Sequence, residues 1–177
     1  MKKLLKFAPL CALLFGIVAF VLMMVTHPLV SESTVLGAKV ESWYSATAVL
    51  FGKGQSCIAS GSSSLISSFE GNPAWNAILA FIFMIVGLLA LLVSALTVFV
   101  EIKPLEKFGG IIALAAAGLL LVGGIFLFFA VPAFAGANEF NADGWNLGAG
   151  WIVAAILAIV GGLVSACPAV LALIEKK

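Results

Sequence analysis

The 177-residue chain is 63% hydrophobic and only 10% charged, with a formal net charge of +1 and a mean hydropathy of +1.24. An ordinary soluble domain is about a quarter charged, so this chain has too little polar surface to cover a soluble core of its length. The composition predicts an all-α membrane protein, a single four-span domain over residues 1–177, with no nucleic-acid partner expected.

Four uncharged stretches reach the roughly 20 apolar residues that a bilayer crossing needs: Phe7–Thr26, Trp75–Val100, Phe108–Val131 and Leu147–Ile174. None alternates with period two, so helices are favoured over a β-barrel. The first follows the basic stretch MKKLLK. Its apolar run exceeds the usual core of a cleaved signal peptide, and it is read as a retained span.

The first connection, residues 27–74, is the large one and is rich in serine. Its middle carries β-branched and aromatic residues interrupted by Gly52, Lys53 and Gly54. That interruption predicts a hairpin turn between two short strands, hence a small β-sheet, against the alternative of a flexible linker. In the following SSSLISSF, Leu65 and Phe69 share a helical face and are expected along the membrane surface. Residues 101–107, EIKPLEK, form a tight turn that makes the second and third spans antiparallel neighbours. The last connection, residues 132–146, is short.

Lysine decides the orientation, because the chain contains no arginine. With the N-terminus inside, Lys2, Lys3, Lys6, Lys103, Lys107, Lys176 and Lys177 are cytoplasmic and only Lys39 and Lys53 lie outside. The positive-inside rule then places both termini in the cytoplasm and residues 27–74 and 132–146 outside, in a cell membrane. Trp43, Trp75, Trp145 and Trp151 all fall on the outer side, the last three where an aromatic belt would anchor helix ends.

Four spans, inner termini and a large first outer loop with strand character resemble the layout of the claudin-like tetraspan families. The loop of those families carries a tryptophan, a Gly-Leu-Trp element and two disulfide-bonded cysteines. Here the resemblance rests on Trp43, then Gly52 and Gly54, then Cys57; the Gly-Leu-Trp element and the second cysteine are absent. It implies a structural or adhesion-like role exercised through the outer loop, with Trp43 and Cys57 as interaction candidates.

In the fourth span, Gly150, Ala154, Ala158, Gly162 and Ala166 fall at every fourth position. Helices in lipid associate by close packing rather than by hydrophobic force, and small residues permit it. This ridge is a helix-packing interface, either inside the four-helix bundle or with another copy, and Leu157 is expected on the lipid side. The third span offers Gly109, Ala113, Ala117, Gly123 and Gly124 as the answering row. Pro168 should kink or loosen the fourth helix near Ser165.

Chemistry is sparse. No ionisable residue lies inside a span, which argues against a coupled transporter. Ser94, Thr97 and Ser165 are expected to bond their own helix backbone. A lipid-directed enzyme would have to use His27, Glu139 and Asp143, and FGKGQS lacks the spacing of a phosphate loop. The alternating Glu139, Asn141 and Asp143 before Gly144 resemble the opening of a calcium loop, but Gly150 stands where a bidentate glutamate belongs; an Asp-Gly turn accounts for them better. Cys57 lies outside while Cys11 and Cys167 lie near the inner face, so no internal disulfide is expected. Neither a metal nor a cofactor is expected. The function expected is non-enzymatic, structural, scaffolding or adhesion-like; the alternative is an accessory subunit of a larger transporter, channel or secretion complex. Partners expected are membrane lipids and either further copies or a partner membrane protein.

Overall fold

The computed structural model of the chain describes residues 7–99 and 103–174. Helix α1 (Ala8–Val25) starts with Pro9, whose missing amide costs nothing in a first turn. It stops at Thr26, which turns extended (φ −105°, ψ 163°) ahead of the His27–Pro28 pair. A residue before proline disfavours helical geometry. The Thr26 amide and hydroxyl both donate to the Leu22 carbonyl, at 3.1 and 2.6 Å.

The next 45 residues build the greater part of a sheet: β1 (Leu29–Val35), β2 (Ala38–Tyr44), the short helix α2 (Ala46–Phe51), β3 (Lys53–Ser60) and β4 (Ser63–Glu70). Helices α3 (Trp75–Phe99), α4 (Lys103–Phe128) and α5 (Ala130–Ala137) follow, then β5 (Trp145–Leu147) and α6 (Ala149–Ile174). The five strands lie in the order β4-β3-β2-β1-β5, antiparallel throughout. The chain is therefore a mixed helix-and-sheet protein, not all-α. Helices α1, α3, α4 and α6 are long and apolar enough to cross a membrane, over Ala8–Val25, Trp75–Leu96, Phe108–Phe128 and Ala149–Pro168. By length and composition, this is a multi-pass membrane protein.

Several local expectations are corrected. Gly52 is not a hairpin turn; it caps α2 in the left-handed conformation (φ 72°), its amide bonding the Ala48 carbonyl at 3.0 Å. The Ser45 hydroxyl caps the other end of α2 through the Ala48 amide. The hairpins instead turn at Leu36–Gly37 (φ 52° and 82°) and next to Gly61 (φ 59°). Segment SSSLISSF is strand β4, not a surface helix. The backbone of 103–107, expected in the tight turn, already belongs to α4, and residues 100–102 lie outside the described residues. The third apolar run does not reach Val131 as one helix. It breaks at Phe129 (φ −95°, ψ 11°), three residues before Pro132.

In the bundle α4 packs between α3 and α6, and α6 between α4 and α1; α1 and α3 close the ring with the slightest of the four contacts. Paired glycines let one helix approach two neighbours. A Cβ on Gly123 would meet Met84 and the Ala80 carbonyl of α3, whereas one on Gly124 would lie 2.8 Å from the Ala155 carbonyl of α6. On α6, Gly161 faces the Ala12 carbonyl of α1 and Gly162 faces the Ala117 carbonyl of α4. Successive residues are separated by about 100° around a helix, so each pair addresses two partners.

Candidate interaction surface

The sheet stands on the bundle by its base. The chain enters and leaves the strands from helices at Leu29, Glu70 and Leu147, and both hairpin tips lie at the opposite end. Three contacts fix that base. Tyr44 of β2 lies within 5.1–6.2 Å, centroid to centroid, of Phe69, Phe134, Phe140 and Trp145. This aromatic group joins β2, β4 and β5 to α5, with Phe134 fully buried. Edge-to-face geometry adds about 1 kcal/mol per pair beyond the area buried. Burial raises the Tyr44 phenol pKa above its ordinary value.

The second contact is a reciprocal amide clasp between the two connections. Asn138 Oδ1 accepts from the Asn72 amide at 2.8 Å, its Nδ2 donates to the Asn72 carbonyl at 2.8 Å, and Asn72 Nδ2 donates to the Ala137 carbonyl at 2.9 Å. The third lies at the start of α6. Gly148 sits against the His27 carbonyl and Gly150 against the Thr26 side chain, so closely that neither place leaves room for a Cβ. That approach lets the Trp151 indole Nε1 donate to the Met23 carbonyl at 2.9 Å. Met23 is in the last turn of α1, where carbonyls lack intrahelical partners; Trp151 therefore caps α1 from another helix. Trp151 is fully buried, so it is no member of an aromatic belt. Trp75 is 61% exposed at the head of α3, and Trp145 is half-buried in the aromatic group.

Of the small-residue ridge, Gly150 faces α1, Ala154 and Ala158 are fully buried, Gly162 faces α4 and Ala166 is half-buried. Within the answering row, Ala117 meets Gly162 and Gly124 meets Ala155 and Ala158, whereas Gly109 faces open space. Leu157 is partly buried against the core rather than free on the lipid side. Ser165 Oγ does not bond its own helix; it donates across to the Ala113 carbonyl of α4 at 2.9 Å. Helix α6 continues through Pro168. Sequence reasoning passed over Asn76, a buried amide whose Nδ2 donates to the Phe126 carbonyl at 3.1 Å, just before the break at Phe129. Pro132 four residues after Phe128 was the available signal.

The polar candidates are scattered. The His27 ring stacks on Trp43 with centroids 3.8 Å apart and planes 17° from parallel. Desolvation against that ring lowers the His27 pKa below 6.5. Glu139 takes the left-handed conformation (φ 57°) just after α5, and the next amide, of Phe140, bonds the Ala135 carbonyl at 3.1 Å. This closes a helix end. Asn141 and Asp143 bond each other in the turn that leads through Gly144 (φ 83°) to β5. Among the described residues, no three metal-ligating side chains converge. Cys57 is buried in mid-strand with Trp43 and Ile66 opposite it on either side.

The registers divide the sheet by charge. Paired residues share a face. One face takes Ser31, Ser33, Val35, Val40, Ser42, Tyr44, Ser56, Ile58, Leu65, Ser67 and Phe69. The other takes Glu32, Lys39, Glu41, Lys53 and Glu70, every charged residue of the first connection. Lys39 pairs with Glu32 at 3.2 Å and Lys53 with Glu70 at 4.0 Å, both exposed. The uncharged face is covered near its base by the aromatic group, while Val35, Ile58 and Leu65 remain exposed beyond it. The arrangement can present a firm, two-sided protein surface. Compared with known proteins, the chain matches no family model and no curated protein.

Proposed function

We propose that this chain is a non-enzymatic, multi-pass membrane protein with a structural, scaffolding or adhesion-like role, exercised through its sheet and through lateral packing of its helices. The observation that carries the reading is the firmly based sheet with one uncharged, partly apolar face. Aromatic packing and the Asn72–Asn138 clasp hold that sheet to the bundle, and the Trp151 cap ties α6 to α1 beneath it. A flexible solvating loop needs none of these. An exposed row of aliphatic residues on an ordered face is the usual mark of a surface meant to be covered.

In this reading the termini are cytoplasmic and the sheet projects outside the cell membrane, which the lysine distribution supports. The role matches that of the claudin-like proteins that the layout resembles. The firm base of this sheet does without their disulfide, since Cys57 is a free thiol.

The accessory-subunit reading has its own support. An all-carbon groove of about 300 Å³ runs between α1 and α3, lined by Leu13, Ile17 and Phe20 opposite Ile85, Leu88 and Leu92. It lies along the slightest helix contact of the ring, and a partner's transmembrane helix would seat there. The mass and composition of the particle purified in a mild detergent decide between the two. A homogeneous multiple of the chain supports the structural reading; a foreign chain at fixed stoichiometry overturns it in favour of the subunit.

A further inference from the structure

The two edges of the sheet differ. Strand β5 is only three residues long and runs directly into α6, so that edge is blunted. Strand β4 pairs with β3 over all eight of its residues without a bulge and stands last in the sheet. It carries no proline and no lysine, and its one charge is Glu70 at the base. Beyond that glutamate, β4 carries none of the side-chain devices that usually protect a free edge.

Backbone hydrogen bonds fix which residues of β4 point outward. The Gly71 amide donates to the Gly52 carbonyl, and the Ser45 amide to the Gln55 carbonyl, each at 2.8 Å and in register with its neighbouring ladder. Alternation from either bond gives the same answer. Residues 63, 65, 67 and 69 direct their backbone groups to β3, and Ser64, Ile66, Ser68 and, at the base, Glu70 direct theirs outward. The uncharged outward trio of Ser64, Ile66 and Ser68 reads the same in both directions about Ile66.

We propose that β4 pairs antiparallel with β4 of a second copy, Ile66 opposite Ile66 and Ser64 opposite Ser68. A two-fold axis requires the same patch on both partners, outward residues meeting outward residues. Centring on Ile66 engages the whole trio and gives about six backbone hydrogen bonds, two for each bonded pair. A shift of two residues sets serine against isoleucine and, in one direction, draws the charged Glu70 into the ladder opposite Ser64. In the centred register Glu70 faces Ser62, so no like charges stand opposed. Antiparallel pairing sets the base of each sheet beside the tip of the other. The two bundles then stand at opposite ends of one unbroken sheet, as in facing membranes, and the edge of each copy protects the other. This inference deepens the structural reading above and rests on it.

The test is cross-linking in native membranes, with Cys11, Cys57 and Cys167 replaced by alanine and one cysteine introduced at a time. Opposed residues of a bonded pair lie about 5.5 Å apart, within disulfide reach. The two Ser64 positions would be about 13 Å apart, four residues of strand rise. Mild oxidation should convert Ile66→Cys largely to a covalent dimer and leave Ser64→Cys and Ser68→Cys monomeric when each is alone. Co-expressed Ser64→Cys and Ser68→Cys should join to each other. In the otherwise native chain, Ile66→Lys, a change at an exposed position, should reduce the detergent-purified particle to a single chain. If the particle is multimeric but Ile66→Cys cross-links no better than Ser64→Cys, the edge pairing is wrong while self-assembly stands. If the native particle contains one copy only, the structural reading and the edge pairing fall together. Cross-linking of Ile66→Cys to a foreign chain overturns the second copy in favour of a partner's strand.

Discussion

Two buried side-chain hydrogen bonds between helices carry different energetic weight. Trp151 serves the Met23 carbonyl, which the end of α1 leaves without a partner, whereas Ser165 adds a second bond to Ala113, a carbonyl in the middle of α4. Replacing Trp151 with Phe strands a buried acceptor and should cost about 2 kcal/mol. Ser165→Ala should cost about 0.6 kcal/mol, near the mean for such bonds in membrane bundles. Thermal unfolding in detergent reads both; equal losses would refute the capping role. The sequence placed Trp151 at a membrane interface because an indole at a helix end has that prior. The contrary signal was local: Gly148 and Gly150 just before it are what let another backbone come close. His27 gives a pH prediction. Its folded pKa is lowered by desolvation, so the folded state binds the proton less readily than the unfolded chain, whose histidine titrates near 6.5. Its contribution is therefore complete above 6.5 and lost as pH falls through 6.5 and below. The melting temperature should drop between pH 7.5 and 5.5, and His27→Phe, which keeps a ring against Trp43, should flatten that slope.

At the scale of elements, the apolar helices were legible because a span declares itself by length alone, with no need of neighbours. Boundaries set by tertiary contact were not. The break at Phe129 depends on Pro132 and on Asn76 from another helix, and the extension of α4 back to Lys103 hides a helix start inside what read as a loop. The sheet was half legible. β-branched and aromatic residues announced strands, but glycines at 52 and 54 looked like the turn, while the true first turn uses Leu36 with positive φ, a conformation leucine seldom adopts. In β4 the serines come in doublets, so period two is masked and a helical reading fits as well. The ridge of α6 was visible from spacing, yet its neighbours were not: the glycine doublets at 123–124 and 161–162 each serve two helices. Gly162→Leu would drive a side chain into the Ala117 carbonyl, and Ala158→Leu would overfill a fully buried site. Each should cost about 1–3 kcal/mol or more. Leu163→Ile, at a position 56% exposed, should change the melting temperature little. If all three melt alike, the doublets do not set the packing.

For the whole molecule, the distribution of charge argues one arrangement from two directions. With the N-terminus inside, the sequence assigns seven of the nine lysines to the cytoplasm, and the two that remain are on the sheet. Lys39 and Lys53 are each matched by a glutamate on the same face, so the sheet carries no uncompensated basic cluster to hold it on the cytoplasmic side. Transfer of such a loop across a membrane meets little opposition, whereas moving the lysine-rich ends would meet much. The folded sheet should therefore face outward, and a cysteine placed at Ser62, beside the exposed second hairpin tip, should react with a membrane-impermeant maleimide on intact cells. A cysteine at Lys176 should react only after the membrane is opened. Cys57 is buried and should contribute little background to either measurement. The reverse pattern would place the sheet in the cytoplasm. An adhesive role between cells would then be untenable, and the edge of β4 would have to meet its second copy inside the same cell.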